Sequence, residues 1–147
     1  MSRNLALLFP GVLTVLFLAG FTLPQNAPDS INHQEPESAN EDTLYVKEFL
    51  LCKDVVEREP IDVVQSFTMD DERAWGFAVI HSTYRMHTVT FRWYYEDERY
   101  FTFDSNVGRS PNWRTYSSVG LQPGAWRVEL YDENEEQLKE VRFHVSE

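Results

Sequence analysis

The chain has 147 residues and a formal net charge of −11, with 24 acidic against 13 basic side chains. This length predicts a single domain. Because a strongly acidic domain repels phosphate backbones and anionic lipid headgroups, the composition excludes nucleic acid as a partner and argues against docking on anionic membranes. Cys52 is the single cysteine, so no disulfide forms within the chain. Its apolar, strand-like neighbours predict a buried thiol.

The N-terminal segment, residues 1–23, is predicted to be a signal peptide or a membrane-anchor helix. Its apolar run Leu5–Leu23 carries no charge and follows Arg3, a pattern that favours a cytoplasmic N-terminus and export of the remainder. The run is about as long as a membrane-spanning helix, whereas small residues for signal cleavage are poorly placed. A secreted protein and an inner-membrane-anchored one both remain open, with the domain on the periplasmic or extracellular side.

Residues 24–43 are predicted to form a disordered linker. The stretch Pro24–Asp42 is polar, contains three prolines and shows no apolar periodicity. Such composition does not support a packed core. The folded domain is therefore predicted to span residues 44–147.

From Leu44 onwards, apolar and polar residues alternate in short runs separated by turn residues, which indicates β-strands. Eight strands are predicted, at Leu44–Asp54, Ile61–Phe67, Ala74–His81, Thr88–Tyr95, Tyr100–Asp104, Trp113–Val119, Ala125–Tyr131 and Leu138–Val145. Short strands at this spacing predict an all-β fold, an immunoglobulin-like antiparallel β-sandwich of seven or eight strands.

The alternation also predicts core positions and turns. Trp75, Trp93 and Trp126 are expected to point into the core together with the large residues beside them on each strand. Glu57–Pro60 is predicted to be a turn, since a proline cannot donate to a strand ladder. Asp132–Glu135 is predicted to be a second turn, in which Asn134 takes a left-handed conformation.

Outward-facing arginine and aromatic residues form the candidate binding surface. Arginine binds carboxylates and aromatic rings stack on apolar groups, so such a surface suits a peptide or a sugar. The candidate ligand-binding residues are Arg92, Tyr94, Trp113, Arg114, Tyr116 and Arg127. The alternative is that these arginines pair with surface carboxylates while the tyrosines cover the sheet.

Catalytic and metal-binding patterns are weak. The chain has no G-x-S-x-G motif, and its acidic clusters lie in predicted turns, where solvated charges are expected. Asp132–Glu136 is the best calcium candidate but matches no EF-hand loop. His81 and His87 flank one loop, although two histidines alone make a poor zinc site. We therefore expect no enzyme activity, metal or cofactor; a cleft holding either histidine against an acidic residue would favour a hydrolase.

Several motifs resemble those of a bacterial family of domains of unknown function, DUF2914. They are Cys52–Val55, Arg58–Pro60, Phe67, Thr90–Tyr94, Trp113–Ser118, Gly124–Val128 and Phe143. The resemblance spans Cys52 to Val145 and implies a small β-domain, often attached to a membrane segment, without an established activity. Phe91, Tyr116 and Val119 stand where the resemblance implies histidine, tryptophan and lysine.

These patterns together predict a non-catalytic, exported interaction module that binds a protein or another cell-envelope component. A carbohydrate- or cell-wall-binding module is the alternative, with Trp113 and Tyr116 stacking on sugar rings. A hydrolase is the third hypothesis, because a fold of this kind does not by itself define an activity.

Overall fold

The computed structural model describes residues 42–83 and 85–147, so the predicted leader and nearly all of the predicted linker lie outside the described residues. The strands are β1 (Leu44–Val56), β2 (Glu59–Val64), β3 (Phe67–Thr68), β4 (Arg73–Ser82), β5 (His87–Tyr95), β6 (Glu98–Val107), β7 (Ser110–Gly120), β8 (Gly124–Tyr131) and β9 (Gln137–Ser146). The predicted all-β class is confirmed. Over the described ranges, no helix is long and apolar enough to cross a membrane.

The strands form two sheets that pack face to face. Sheet A has the order β2-β1-β4-β7 and sheet B has the order β3-β9-β8-β5-β6. All strand pairs are antiparallel except β3 with β9. One core cluster unites buried residues of both sheets, among them Leu51 and Ile80 of sheet A and Trp93 and Leu130 of sheet B. The two-sheet sandwich expected from the alternation is therefore present.

The predicted strand Ile61–Phe67 is split between the two sheets, so residues 42–83 and 85–147 contain nine strands instead of the predicted seven or eight. β2 ends at Val64 in sheet A, and Phe67 pairs with Val145 of sheet B. Phe67 is buried in the shared core. Because the apolar residues continue across the break, the sequence pattern does not reveal that the chain changes sheets.

Two hairpins close through two-residue turns in which both residues have positive φ. These are Glu57 and Arg58, with φ of 52° and 65°, and Glu96 and Asp97, with φ of 50° and 65°. Type I′ turns have this backbone and match the twist of paired strands. The turn predicted at Glu57–Pro60 is thus too long, since β2 begins at Glu59 and places its proline on a sheet edge.

The Asp132 side chain organises the turn between β8 and β9. Its Oδ1 accepts hydrogen bonds from the backbone N–H groups of Asn134 and Glu136, each at 2.8 Å. Glu135 has the positive φ of 65°, so the prediction that Asn134 takes the left-handed position is wrong. An aspartate side chain that accepts hydrogen bonds from backbone N–H groups further along the turn fixes the turn conformation. Here the left-handed residue is Glu135, one position after Asn134.

Over residues 74–78, β4 turns its small residues, and not its large ones, towards the core, and Ile80 is a large inward residue further along the strand. The inward residues are Ala74, Gly76 and Ala78. A Cβ atom on the glycine would lie 3.2 Å from Cζ2 of Trp93, which is fully buried. The prediction that Trp75 points into the core is therefore wrong, because the bulk of Trp93 leaves room only for small residues opposite it.

The outer face of β4 carries a second apolar cluster, in which Phe77 packs against Cys52. Val55 of the β1–β2 hairpin packs on this cluster. At the hairpin tip, Nη2 of Arg58 donates a hydrogen bond to the Arg114 carbonyl at 2.8 Å, although β4 separates β1 from β7. The hairpin therefore folds over the outer face of sheet A and brings its tip to β7.

Replacing Gly76 with alanine should destabilise the fold, because the added methyl group would press on the Trp93 ring. Overpacking of this kind costs about 1–3 kcal/mol. Gly120→Ala is the matched control: a Cβ there meets nothing within 4 Å, so its free energy of unfolding should stay within about 0.5 kcal/mol of the parent. Urea denaturation measures both values. Equal stabilities would contradict the inward orientation of the small face of β4.

The Cys52 thiol should be unreactive in the folded protein. Its side chain is fully buried, as predicted, and desolvation raises the pKa of the thiol to about 11. Because the thiolate is the reactive form, a disulfide reagent at pH 8 should label it slowly in buffer and fully in denaturant. Cys52→Ser provides the blank. Rapid labelling without denaturant would show that the thiol is accessible.

Candidate functional site

The six residues predicted to form one binding surface lie on three parts of the sandwich. Arg92, Tyr94 and Arg127 lie on the outer face of sheet B, Arg114 and Tyr116 lie on the outer face of sheet A, and Trp113 packs on the edge of the shared core. Alternation assigns side chains to the two faces of one strand, but it does not tell which sheet the strand joins. The predicted surface is therefore divided between the two sheets, although Trp113, Arg114 and Tyr116 line one cavity together.

Arginine and tyrosine side chains on the outer face of sheet B stack on one another. The Arg92 guanidinium lies 4.1 Å from the ring centroid of Tyr131, and that of Arg127 lies 4.2 Å from the centroid of Tyr94. Tyr94 and Arg127 are direct cross-strand partners on β5 and β8. Cation–π contacts of this kind hold guanidinium groups flat against a sheet.

Carboxylates neutralise both of these arginines. Arg92 pairs with Glu135, and Nη1 of Arg127 lies 2.7 Å from Oδ1 of Asp97. The hydrogen bond that Arg92 donates to Glu135 raises the pKa of Arg92. For Arg127, desolvation lowers the pKa, but the contacts with Asp97 and Glu129 outweigh it and raise the pKa. On this face the arginines thus pair with surface carboxylates, which is the alternative that the sequence left open.

An open groove runs between the edges of the two sheets, where β6 of sheet B faces β7 of sheet A. Thr115 Oγ1 donates a 2.7 Å hydrogen bond to Ser105 Oγ and links the two strands. Cavities of about 310 and 350 Å³ lie between the two strands, and a third of about 420 Å³ adjoins the first of them at the tip of the β1–β2 hairpin; we name the three together the β6–β7 groove. Its main lining residues are Glu57, Arg58, Glu59, Arg73, Tyr100, Phe101, Phe103, Arg109, Trp113, Arg114 and Tyr116.

Aromatic side chains of β6 are unusually exposed in this groove. Tyr100, Phe101 and Phe103 are 46%, 42% and 40% accessible. Phe101 and Phe103 are cross-strand partners of Trp93 and Phe91, two buried residues of the neighbouring strand β5. Both phenylalanine rings therefore lie on the core side of sheet B. They remain accessible because no described strand continues sheet A beyond β7 to cover them.

The β1–β2 hairpin supplies the other wall of the groove. Arg58 lies 5.6 Å from the ring centroid of Trp113, and Nη2 of Arg114 lies 3.1 Å from Oε1 of Glu59. The Trp113 ring also rests against Gly108, where a Cβ atom would approach it to 3.1 Å. The hairpin tip therefore fixes both a tryptophan and a guanidinium group at one end of the groove.

Three arginines of the groove have no carboxylate partner within the described residues. They are Arg58, Arg73 and Arg109. Arg73 bonds only to Ser118, whose hydroxyl lies 3.0 Å from Nη2. Sequence reasoning missed all three, because two lie in or beside turns and no spacing motif marks them. Their guanidinium groups can bind an anionic ligand without breaking an existing ion pair.

His87 contacts two acidic residues away from the groove. Its Nδ1 lies 3.0 Å from Oε1 of Glu133, and its Nε2 lies 2.9 Å from Oδ1 of Asp42. Arg85 pairs with both carboxylates, and although desolvation raises the pKa of each acid, the contacts with Arg85 and His87 outweigh it and lower both values. The imidazole is buried; its Nδ1 shares a hydrogen bond with Glu133, whereas its Nε2 lies near Asp42 without a hydrogen bond among the described residues.

The remaining metal candidates are occupied by contacts within the protein. His81 stacks on Tyr45 with ring centroids 4.7 Å apart, and Asp132 holds the turn described above. In the part of the chain that the structure describes, no three His, Cys, Asp or Glu side chains are grouped to hold a metal ion.

Residues 86–145 match the model of a family described as "Protein of unknown function (DUF2914)". No curated protein matches the chain. The matched segment holds β6 and β7 and therefore two walls of the groove, whereas the resembling motifs from Cys52 to Pro60 precede it. The family resemblance is thus confirmed over this segment: residues 86–145 are similar to DUF2914.

Proposed function

We propose that this chain is a non-catalytic, exported interaction module that binds a protein partner through the β6–β7 groove. The observation that carries the proposal is the coincidence of exposed aromatic rings with unpaired arginines in one groove. Arginine and aromatic residues are the side chains that contribute most to binding at protein interfaces. The first candidate surface, on sheet B, lacks this property because its arginines are neutralised.

The charge distribution favours a partner that presents carboxylates. Among the described residues, six of the twelve Lys and Arg side chains form ion pairs with carboxylates. Arg58, Arg73 and Arg109 remain unpaired and flank the groove at both ends. A protein segment with acidic and apolar side chains would complement both the guanidinium groups and the rings between them.

A protein ligand is better supported than a sugar. Sugar binding needs an accessible aromatic platform, but Arg58 lies over the Trp113 ring. Tyr116 lies on the other face of β7, where it packs on Trp75 and Phe77 at centroid distances of 5.8 and 6.4 Å. Although both residues line one cavity of the groove, their side chains project from opposite faces of β7 and do not form a single stacking platform.

The proposal of a non-catalytic role is supported by the arrangement of His87. A general base needs a ring nitrogen that reaches the substrate proton, whereas both nitrogens of His87 face the carboxylates of Asp42 and Glu133. The histidine lines none of the three cavities of the groove.

Strand order supports an immunoglobulin-like domain as the scaffold. The order β1-β4-β7 opposite β9-β8-β5-β6 corresponds to strands A-B-E opposite G-F-C-C′ of that fold, with β2 and β3 as additions. The apolar run Leu5–Leu23 supports a position of this domain outside the cytoplasm, whether the leader is cleaved or retained.

Reversing the charge of Arg109 should abolish partner capture. The full chain, immobilised by a C-terminal tag, is incubated with a detergent-solubilised cell-envelope fraction, with and without prior protease digestion of that fraction. Arg109→Glu should reduce retention of the partner at least about tenfold, since a lost charge-assisted contact costs about 1.5–3 kcal/mol. Arg142→Glu makes the same charge change at an exposed position on β9, outside the groove.

Capture should persist for Arg142→Glu and vanish after protease treatment of the envelope fraction. Thermal unfolding monitored by circular dichroism should give equal midpoints for both variants, because both positions are exposed. Equal losses for the two variants would contradict binding in the groove. Retention that survives protease digestion would show that the ligand is a glycan or a lipid.

A further inference from the structure

We propose that the free edge of β6 binds an extended acidic segment of the partner as an added β-strand. This inference rests on the proposed function and specifies the chemistry of the partner. β6 has ten residues and forms one edge of sheet B, with no strand beyond it among the described residues. An added strand gains main-chain hydrogen bonds, while alternate side chains enter pockets that determine specificity.

Strand addition is hindered at β2, β3 and β7, although β3 pairs with β9 only at Val145 and Ser146 and leaves the rest of β9 without a neighbour on this side among the described residues. β2 contains Pro60 and a positive φ of 52° at Asp62, and β3 has only two residues. β7 begins with Ser110 and Pro111, and the carbonyl of Arg114 already accepts the hydrogen bond from Arg58. Prolines, irregular backbone and short strands are the features by which proteins prevent unwanted pairing at edges.

β6 lacks these protective features over most of its length. It contains no proline, and its single register irregularity leaves Tyr100 unpaired near the start of the strand. From Phe101 to Val107 every residue pairs in regular register with β5. This part of the edge is about 23 Å long at about 3.3 Å per residue, which suits an added strand of ordinary length.

The side chains around this edge specify an acidic and apolar ligand. Phe101 and Phe103 expose their rings on the core side of sheet B, where alternate apolar residues of an added strand would pack. Arg109 follows β6 at one end, and Arg73 shares a cavity with Phe101 at the other. Carboxylates of the added strand would thus meet unpaired guanidinium groups at both ends.

A second copy of this chain is a poorer occupant than a foreign acidic segment. Pairing of two copies would bring two net charges of −11 together, and self-repulsion of that size opposes association. A short acidic segment carries little charge and approaches the arginines of the groove locally. The partner's segment is therefore the occupant to test.

The probe is a fluorescein-labelled octapeptide amide with the sequence Glu-Val-Asp-Val-Glu-Val-Asp-Val, titrated with the full chain in detergent. Fluorescence anisotropy should show saturable binding, and replacing the four acidic residues with lysine should weaken it at least about tenfold. Two further peptides carry N-methyl groups on the backbone. One is methylated at all four acidic residues, and the other is methylated at all four valines. Because successive N–H groups of a strand point to opposite edges, one peptide should lose at least about tenfold in affinity and the other should bind within about twofold of the parent.

Protein variants locate the binding edge. Phe103→Ala should weaken binding about fivefold or more, whereas Val63→Ala, at an exposed position on the protected β2 edge, should leave it unchanged. Arg109→Glu provides a second groove variant that does not alter packing. Thermal unfolding checks that each variant is folded.

Equal binding by the two N-methylated peptides, or no binding of the parent peptide, would overturn strand addition. If Arg109-dependent capture of an envelope protein persists in that case, the proposed function stands and only the mode of binding is wrong. If sedimentation equilibrium instead shows a dimer of the chain that the octapeptide dissociates, the edge binds a second copy, and the proposal of an acidic partner segment is also overturned.

Discussion

The packing of Trp93 against Gly76 is the contact on which the rest of this structure depends. The indole is fully buried between the sheets, its Nε1–H donates a 3.1 Å hydrogen bond to Ser117 Oγ, and its ring lies where a Cβ on the glycine would clash. A protein interior is packed too tightly to hold large residues on both sides of such a ring. β4 must therefore present its small face to the core, which turns Trp75, Phe77 and Val79 outward.

That outward orientation explains how the groove receives its arginine wall. An exposed face containing Phe77 would be costly in water, and the β1–β2 hairpin covers it by folding across sheet A with Val55 against the cluster. The same path of the chain places Arg58 beside Trp113 on β7. On the opposite sheet no described strand covers β6, so Phe101 stays accessible. Core packing and unequal sheet coverage together generate the groove.

The sequence predicted the local structure far better than the site. Strand positions followed from alternation, and Trp93 and Trp126 are buried as expected. Alternation defines two faces without showing which is inner, so Trp75 was assigned to the wrong one; only the size of the residue opposite it decides. Arg92 and Arg114 were likewise placed on one surface, because membership of a sheet depends on pairings between distant strands. Arg58 and Arg109 carry no local signal, since tertiary packing alone brings them to the groove.

Composition did not distinguish the two arginine–aromatic surfaces of this molecule, but their charge balance does. On sheet B, Arg127 stacks on Tyr94 and also pairs with Asp97, so the stack is electrically neutral and stabilises the sheet. In the groove, Arg58 stacks on Trp113 and bonds to a backbone carbonyl, both uncharged groups that orient the guanidinium without cancelling its charge. A guanidinium held in this way keeps its attraction for carboxylates while losing less side-chain entropy when it binds one. In an acidic chain, neutral partners are thus what preserves a cationic binding surface.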